Sequence, residues 1–275
     1  MSASLKQLLE AGVHFGHRTR EWNPKMRRFI YDSRNGIHVI DLLQTQSGIQ
    51  NACDYLRTAV RDKKNIVFVG TKKQAVEIVE EEARRCRAFF VNRRWLGGTL
   101  TNFETIRLRM LRLNELESMR ESGEFYRRPK KELAKLNREL FKLEQSLGGI
   151  KNMRGRPDVL IIIDQTRESI AVSEASKVRC TTLGIVDTNC NPDGIDYVIP
   201  ANDDSRRSIK LITRLLADAI IGDEEKDIFE DDNDDPDAPD NHPSRVPKRP
   251  FPGTRSTEIV LSLPNLSGSQ WDSDN

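Results

Sequence analysis

Cysteine is scarce in this chain. Cys53, Cys86, Cys180 and Cys190 are the only four in 275 residues, and no two stand at C-x-x-C spacing. With no secretory context around them, a disulfide framework is excluded and free thiols in a reducing compartment are expected. Long apolar runs are also missing. Nothing approaches the roughly 18 residues of a membrane span, and Met1–Leu9 lacks the apolar centre of a signal peptide. The reading is a soluble, cytoplasm-like protein without a transit peptide. Neither G-x-x-x-x-G-K-[ST] nor G-x-G-x-x-G occurs, which removes the two commonest phosphate cradles of nucleotide enzymes. No internal repeat is evident.

Charge is the first thing present in quantity. The formal net charge of +2 conceals a division of the chain: residues 1–222 carry 28 acids and 39 bases, and residues 223–275 carry 14 acids and 5 bases. A body near +11 with a tail near −9 points to a polyanionic partner. Acids cluster through Asp240 and prolines recur through Pro252, a composition too poor in apolar surface to offset its ordering entropy. Residues 223–275 are therefore expected to be disordered, with an apolar patch at Ile259–Leu263.

Between residues 104 and 149 the leucines organise the chain. Leu133, Leu136, Leu140, Leu143 and Leu147 alternate spacings of three and four, the seam of a coiled coil, and Ile106, Met110, Leu113 and Leu116 repeat it upstream. Ser122-Gly123 and Pro129 break the helix between them. An antiparallel coiled-coil hairpin follows, with Arg107, Arg109, Arg112, Lys131, Lys135, Arg138 and Lys142 on its uncovered faces. On either side the pattern changes to short apolar strands alternating with helices. Ser4-x-x-Gln7 reads as a capping box opening a short helix that ends at Gly12, and Val13–Arg28 reads as loop. Two short strands, Ile30–Tyr31 and Ile37–Leu42, flank a turn. Helices are expected at Thr45–Arg61, Gln74–Cys86, Glu168–Lys177 and Asp203–Ile220, the last begun by an Asp N-cap. Strands are expected at Asn65–Gly70, Ala88–Val91, Val159–Ile163, Leu183–Val186 and Tyr197–Ile199. This alternation argues for an α/β domain, 1–103 with 150–222, whose parallel sheet carries helices on both faces, the hairpin being an insertion.

Three features bear on chemistry. Gly70-Thr71-Lys72-Lys73 joins a buried strand to a helix, where a parallel sheet presents amides to phosphate; contact with an RNA backbone suits it better than catalysis. Asp164 and Asp187 both close strands, so their carboxylates reach the carboxyl edge of the sheet, either as turn caps or, with His14 and His17, as metal ligands. Aromatic residues interleave with cations in two Gly-containing loops: Arg18, Arg20, Trp22, Lys25, Arg27 and Arg28 in the first, Arg93, Arg94 and Trp95 in the second. Guanidinium groups fork onto phosphate and flat rings cover sugar or base faces. Trp95 serves equally well as a core anchor.

Ala11-Gly12-Val13-His14-Phe15-Gly16-His17 with Trp22-Asn23-Pro24-Lys25-Met26, Phe68-Val69-Gly70-Thr71-Lys72, Val91-Asn92-Arg93-Arg94-Trp95-Leu96-Gly97-Gly98-Thr99-Leu100-Thr101-Asn102, Leu147-Gly148-Gly149-Ile150 and Asp187-Thr188-Asn189 to Pro192-Asp193-Gly194 together resemble the bacterial and organellar ribosomal small-subunit protein two family, from about Ser4 to Ile221. The resemblance implies a flavodoxin-like three-layer domain with a protruding coiled-coil hairpin, both binding small-subunit rRNA. It implies a structural role in translation within the ribosome, cytoplasmic or in a plastid stroma, beside neighbouring ribosomal proteins that include the mRNA-capturing, OB-fold protein one. No enzyme activity, cofactor, metal, small-molecule substrate, membrane contact or homo-oligomer is implied. RNA contact is expected at Arg18, Arg20, Trp22, Lys25, Arg27, Arg28, Lys72, Lys73, Arg93, Arg94, Trp95, Arg107, Arg112, Lys131 and Lys135. A flavin- or nucleotide-binding enzyme on the same sheet, and a free-standing RNA-binding regulator, are the competing readings.

Overall fold

The computed structural model describes residues 3–222; the expected disordered tail and its Ile259–Leu263 patch lie outside the described residues. The chain opens with α1 (Leu5–Glu10), held by the reciprocal Ser4–Gln7 capping box. It then forms a three-stranded antiparallel sheet of β1 (Phe15–Arg18), β2 (Ile30–Arg34) and β3 (Ile37–Ile40) in the order β1-β3-β2. The expectation of loop through Val13–Arg28 is thus corrected. β1 occupies part of it, and Asn23 caps a 3-10 helix at Pro24–Phe29 by accepting from the Lys25 amide. β1 escapes notice in the sequence because its burial does not alternate and its register with β3 slips between Phe15 and Arg18, so no period of two is imposed on the residues.

The main sheet holds β4 (Ile66–Val69), β5 (Phe89–Val91), β6 (Val159–Ile163), β7 (Thr181–Val186) and β8 (Tyr197–Pro200). All pairings are parallel and the order is β5-β4-β6-β7-β8, the order of flavodoxin-like doubly wound sheets. Alternate side chains divide the interior in two. Ile66, Phe68, Val159, Ile161, Leu183 and Ile185 face α2 (Leu42–Arg61), α3 (Val76–Arg85) and α7 (Arg206–Ile221). Val67, Val69, Leu160, Ile162 and Val186 face α6 (Ser169–Val178) and the base of the hairpin. Asp41 caps α2 one turn before the expected Thr45. Ser205, not Asp203, caps α7, because Asp203 is engaged elsewhere.

Both edges of the sheet are covered by backbone at close range, which two glycines allow. A Cβ at Gly48 would meet the Val198 carbonyl on β8, and one at Gly149 would meet the Phe90 carbonyl and ring on β5. Covering the edges removes unpaired strands that would otherwise recruit other chains.

The hairpin comprises α4 (Phe103–Glu121) and α5 (Lys130–Leu147). Gly123 (φ 75°) turns the chain after α4 and Pro129 precedes α5. Arg112 of α4 bonds to Glu139 of α5 at 3.0 Å across the two arms, and Glu117 of α4 bonds to Lys151, just beyond α5, at 2.7 Å. Ile106, Met110, Leu113, Leu116, Leu136, Leu140 and Leu147 are buried along the seam, each worth roughly 1.5–3 kcal/mol. Leu133 and Leu143 pack on it half-buried. Phe125, unforeseen, closes the tip. This seam is continuous with the second face of the sheet, so the hairpin grows from the core.

Candidate functional site

β4 and β6 end where the order of the sheet reverses, the point at which this architecture ordinarily receives a ligand. Here the protein's own charges fill it. Lys72 Nζ lies 2.7 Å from Asp203 Oδ1, 2.6 Å from Asp204 Oδ1 and 3.3 Å from Asp164 Oδ2, with its side chain 12% exposed. Burial pulls the ammonium pKa down, but the carboxylates more than compensate and hold it above its ordinary value. Burial first, then Asp187 and Asp164, pushes the Asp203 carboxyl up to about 7. His17 Nδ1 sits 3.1 Å from Asp187 Oδ1, poorly aligned as a hydrogen bond, and Nε2 is 3.4 Å from Asp204 Oδ2. Asp187, its nearest carboxylate, outweighs burial and pushes the imidazole up to about 9, so His17 is a cation at neutral pH. The Thr71 amide, which would cradle a phosphate, instead donates to Glu168 Oε1 at 2.8 Å, as does the Thr71 hydroxyl at 2.5 Å.

One ligand atom each from His17, Asp187 and Asp203 falls within 4.8 Å of the others, as do atoms of Asp164, Cys190 and Asp203. Two carboxylates and an imidazole suit a divalent cation. Binding one would require His17 to lose its proton and Lys72 to yield Asp203. His14 takes no part: burial lowers its pKa, and its ring packs on Phe15 at 4.0 Å.

The second loop is built on a buried carboxylate. Glu174 on α6 accepts from Trp95 Nε1 (3.3 Å), the amides of Gly98 (2.7 Å), Leu100 (3.0 Å) and Thr101 (3.1 Å), and the Thr101 hydroxyl (3.1 Å). Burial works to raise its pKa, and these donors override it and hold the carboxyl below its ordinary value. Trp95 is 6% exposed, which favours the core-anchor alternative over base stacking, and Arg93 and Arg94 beside it are exposed. The Lys72 ammonium is enclosed by carboxylates, which disfavours it as a phosphate contact, while Lys73 beside it is exposed.

The remaining expected residues lie at the surface. Arg18, Arg27, Arg28, Lys73, Arg93, Arg94, Lys131 and Lys135 are exposed and pair with no carboxylate among the described residues. Arg20 pairs with Glu21, Lys25 with Asp193, Arg107 with Glu104, and Arg112 with Glu115 and Glu139. Trp22 is half-buried with its ring 5.3 Å from that of His38.

The family described as ribosomal protein S2 matches residues 8–222. The chain belongs to the ribosomal protein S2 family. It is 56% identical over 217 residues, 79% of this chain and 85% of the relative, to the small ribosomal subunit protein uS2 of Picosynechococcus sp.. Ribosomal protein S2 is a structural component of the ribosome with a role in translation, not an enzyme. Among the described residues no helix is long and apolar enough to cross a membrane.

Glu174, Glu168 and Asp203 are the S2 residues that sequence reasoning missed. The signal for Glu174 was available: it stands three residues after Ala171 and one before Ala175, both fully buried, on the inward stripe of its helix. A carboxylate on such a stripe needs donors from another segment.

Proposed function

We propose that this S2 protein is a structural constituent of the small ribosomal subunit that holds rRNA through its exposed cationic loops and hairpin, and that it helps to dock the mRNA-capturing ribosomal protein one. The carrying observation is a set of arginines, Arg18, Arg27, Arg28, Arg93 and Arg94, that are exposed and unpaired among the described residues. They sit on segments fixed from beneath, the first by the Asn23-capped 3-10 helix and buried Met26, the second by Glu174. Exposed guanidinium groups on a rigid support suit phosphate, which demands charge and reach rather than a pocket.

The test is co-sedimentation of the full chain with small subunits. Reversal of Arg27, Arg28, Arg93 and Arg94 to Glu is expected to abolish incorporation with the melting temperature nearly unchanged, because exposed substitutions shift stability by under about 0.5 kcal/mol. Wild-type incorporation by that variant would refute the assignment of RNA contact to these loops.

A further inference from the structure

The two edges of the main sheet carry different charged groups, the amino edge holding exposed cations alongside Asp62, Asp158 and Asp196. Asp164, Asp187, Asp203 and Asp204 gather at the carboxyl edge. At the amino edge, α2, α3 and α6 each return to the next strand through the same turn: the amides of Lys64, Ala88 and Cys180 donate to the carbonyls of Ala59, Ala83 and Ala175. In that turn one residue must take a left-handed conformation, and glycine ordinarily fills it. Here the residues are Lys63 (φ 56°), Arg87 (φ 55°) and Arg179 (φ 56°). Three of the five non-glycine residues at positive φ among the described residues are therefore cations at one edge of one sheet. Arg156 joins them, since its carbonyl accepts from the side chain of Asn65, the residue before β4. All four are exposed and none pairs with a carboxylate among the described residues.

Cations near helix C-termini are favoured by the macrodipole, but that attraction is satisfied equally by a cation in the last turn, as Arg61, Arg84 and Lys177 already provide. It gives no reason to replace glycine at the one position where a side chain is strained. Backbone strain retained at several sites of like chemistry marks a functional demand on the side chains. We propose that the amino edge of the sheet is a second phosphate-binding rim, with Lys63, Arg87, Arg156 and Arg179 gripping the backbone of double-helical RNA. This rests on the RNA-binding reading above and adds a face of the protein that reading does not use. The acidic stretch that begins at Asp223 is the polyanion of this chain that a test must set against RNA.

The left-handed turns supply an unusually clean test. Lys63→Gly, Arg87→Gly and Arg179→Gly combined in the full chain remove charge where glycine is the unstrained choice, so the melting temperature is expected to hold or rise. Binding is measured against an RNA duplex of about twenty base pairs across a salt series. The slope of log affinity against log salt is expected to fall by about three, one for each phosphate no longer neutralised, and Arg87→Lys with Arg179→Lys is expected to retain it. An unchanged slope in the glycine variant overturns the proposal. So does carbodiimide cross-linking of Lys63 to the stretch 223–240 that persists at saturating RNA, which would give the rim to the chain's own acids. Reversal of Arg27, Arg28, Arg93 and Arg94 in parallel separates the two readings: loss of binding there with none at the rim leaves the first standing and sinks the second.

Discussion

Glu174 concentrates the residue-scale logic of this protein. A carboxylate in the interior is costly unless donors surround it, and here the loop that follows β5 wraps three amides, a hydroxyl and an indole N–H around one. Replacing it with Gln keeps the shape but turns an amide NH2 toward backbone N–H groups. Each buried donor so stranded costs roughly 1–3 kcal/mol, and Glu174→Gln should lower the melting temperature accordingly. The pH dependence has a definite sign. The folded carboxyl is held below its ordinary value of 4.5, so its contribution is complete above that value and is lost as pH falls through the depressed one. Thermal melts from pH 7 down to pH 3 should show a shallower acid decline in the Gln variant than in the wild type. Trp95 followed from the same environment. Its character as aromatic and flanked by arginines was visible in the sequence, and that it faces inward depends on a glutamate 79 positions away.

At the scale of elements, helix periodicity was the strongest signal, and the hairpin shows why. Ile106, Met110, Leu113 and Leu116 share one buried cluster with Leu136, Leu140 and Leu147, the apolar faces at helical spacing meeting each other, while Leu108, Leu111 and Phe141 stay exposed. Leu140 is 3% exposed, so Leu140→Asp places a charge without a partner in the seam, and the arms should part. Circular dichroism is expected to lose helix at a lower temperature than the remaining unfolding, and rRNA affinity should drop. Retained affinity with melted arms would make the hairpin a spacer. The elements that sequence left hidden, β1 and the 3-10 helix before β2, are short, irregular in register and partly solvated. Their residues answer to pairing with β3 and to the Asn23 cap rather than to a repeating face.

For the whole molecule the governing quantity is charge at a distance. An excess of about eleven positive charges in residues 1–222 attracts polyanions regardless of sequence. If six to ten cations each neutralise a phosphate, affinity for small subunits should fall by about 10³–10⁵ between 50 and 200 mM salt on the duplex-DNA scale. Sedimentation across that range measures it, and a flat response would mean that neighbouring proteins, not phosphates, hold the chain in place. The sheet contributes differently. Its order and its switch point are those of nucleotide-binding folds, yet Lys72 and Glu168 occupy the positions a ligand would need, a case where architecture does not decide function.

What the sequence by itself determined was whatever depends on neighbours in the chain: the apolar runs of β4 and β6, the leucine seam of the hairpin, the capping box of α1, and the division of charge between body and tail. Only the tertiary structure decided which charged groups are available. Lys72 and Lys73 are adjacent and chemically alike, yet one is enclosed by Asp164, Asp203 and Asp204 and the other faces water. The partners that make the difference arrive from distant strands and helices, Asp203 from 131 positions away, and the energy of a charge is set by what lies within a few ångströms of it in space.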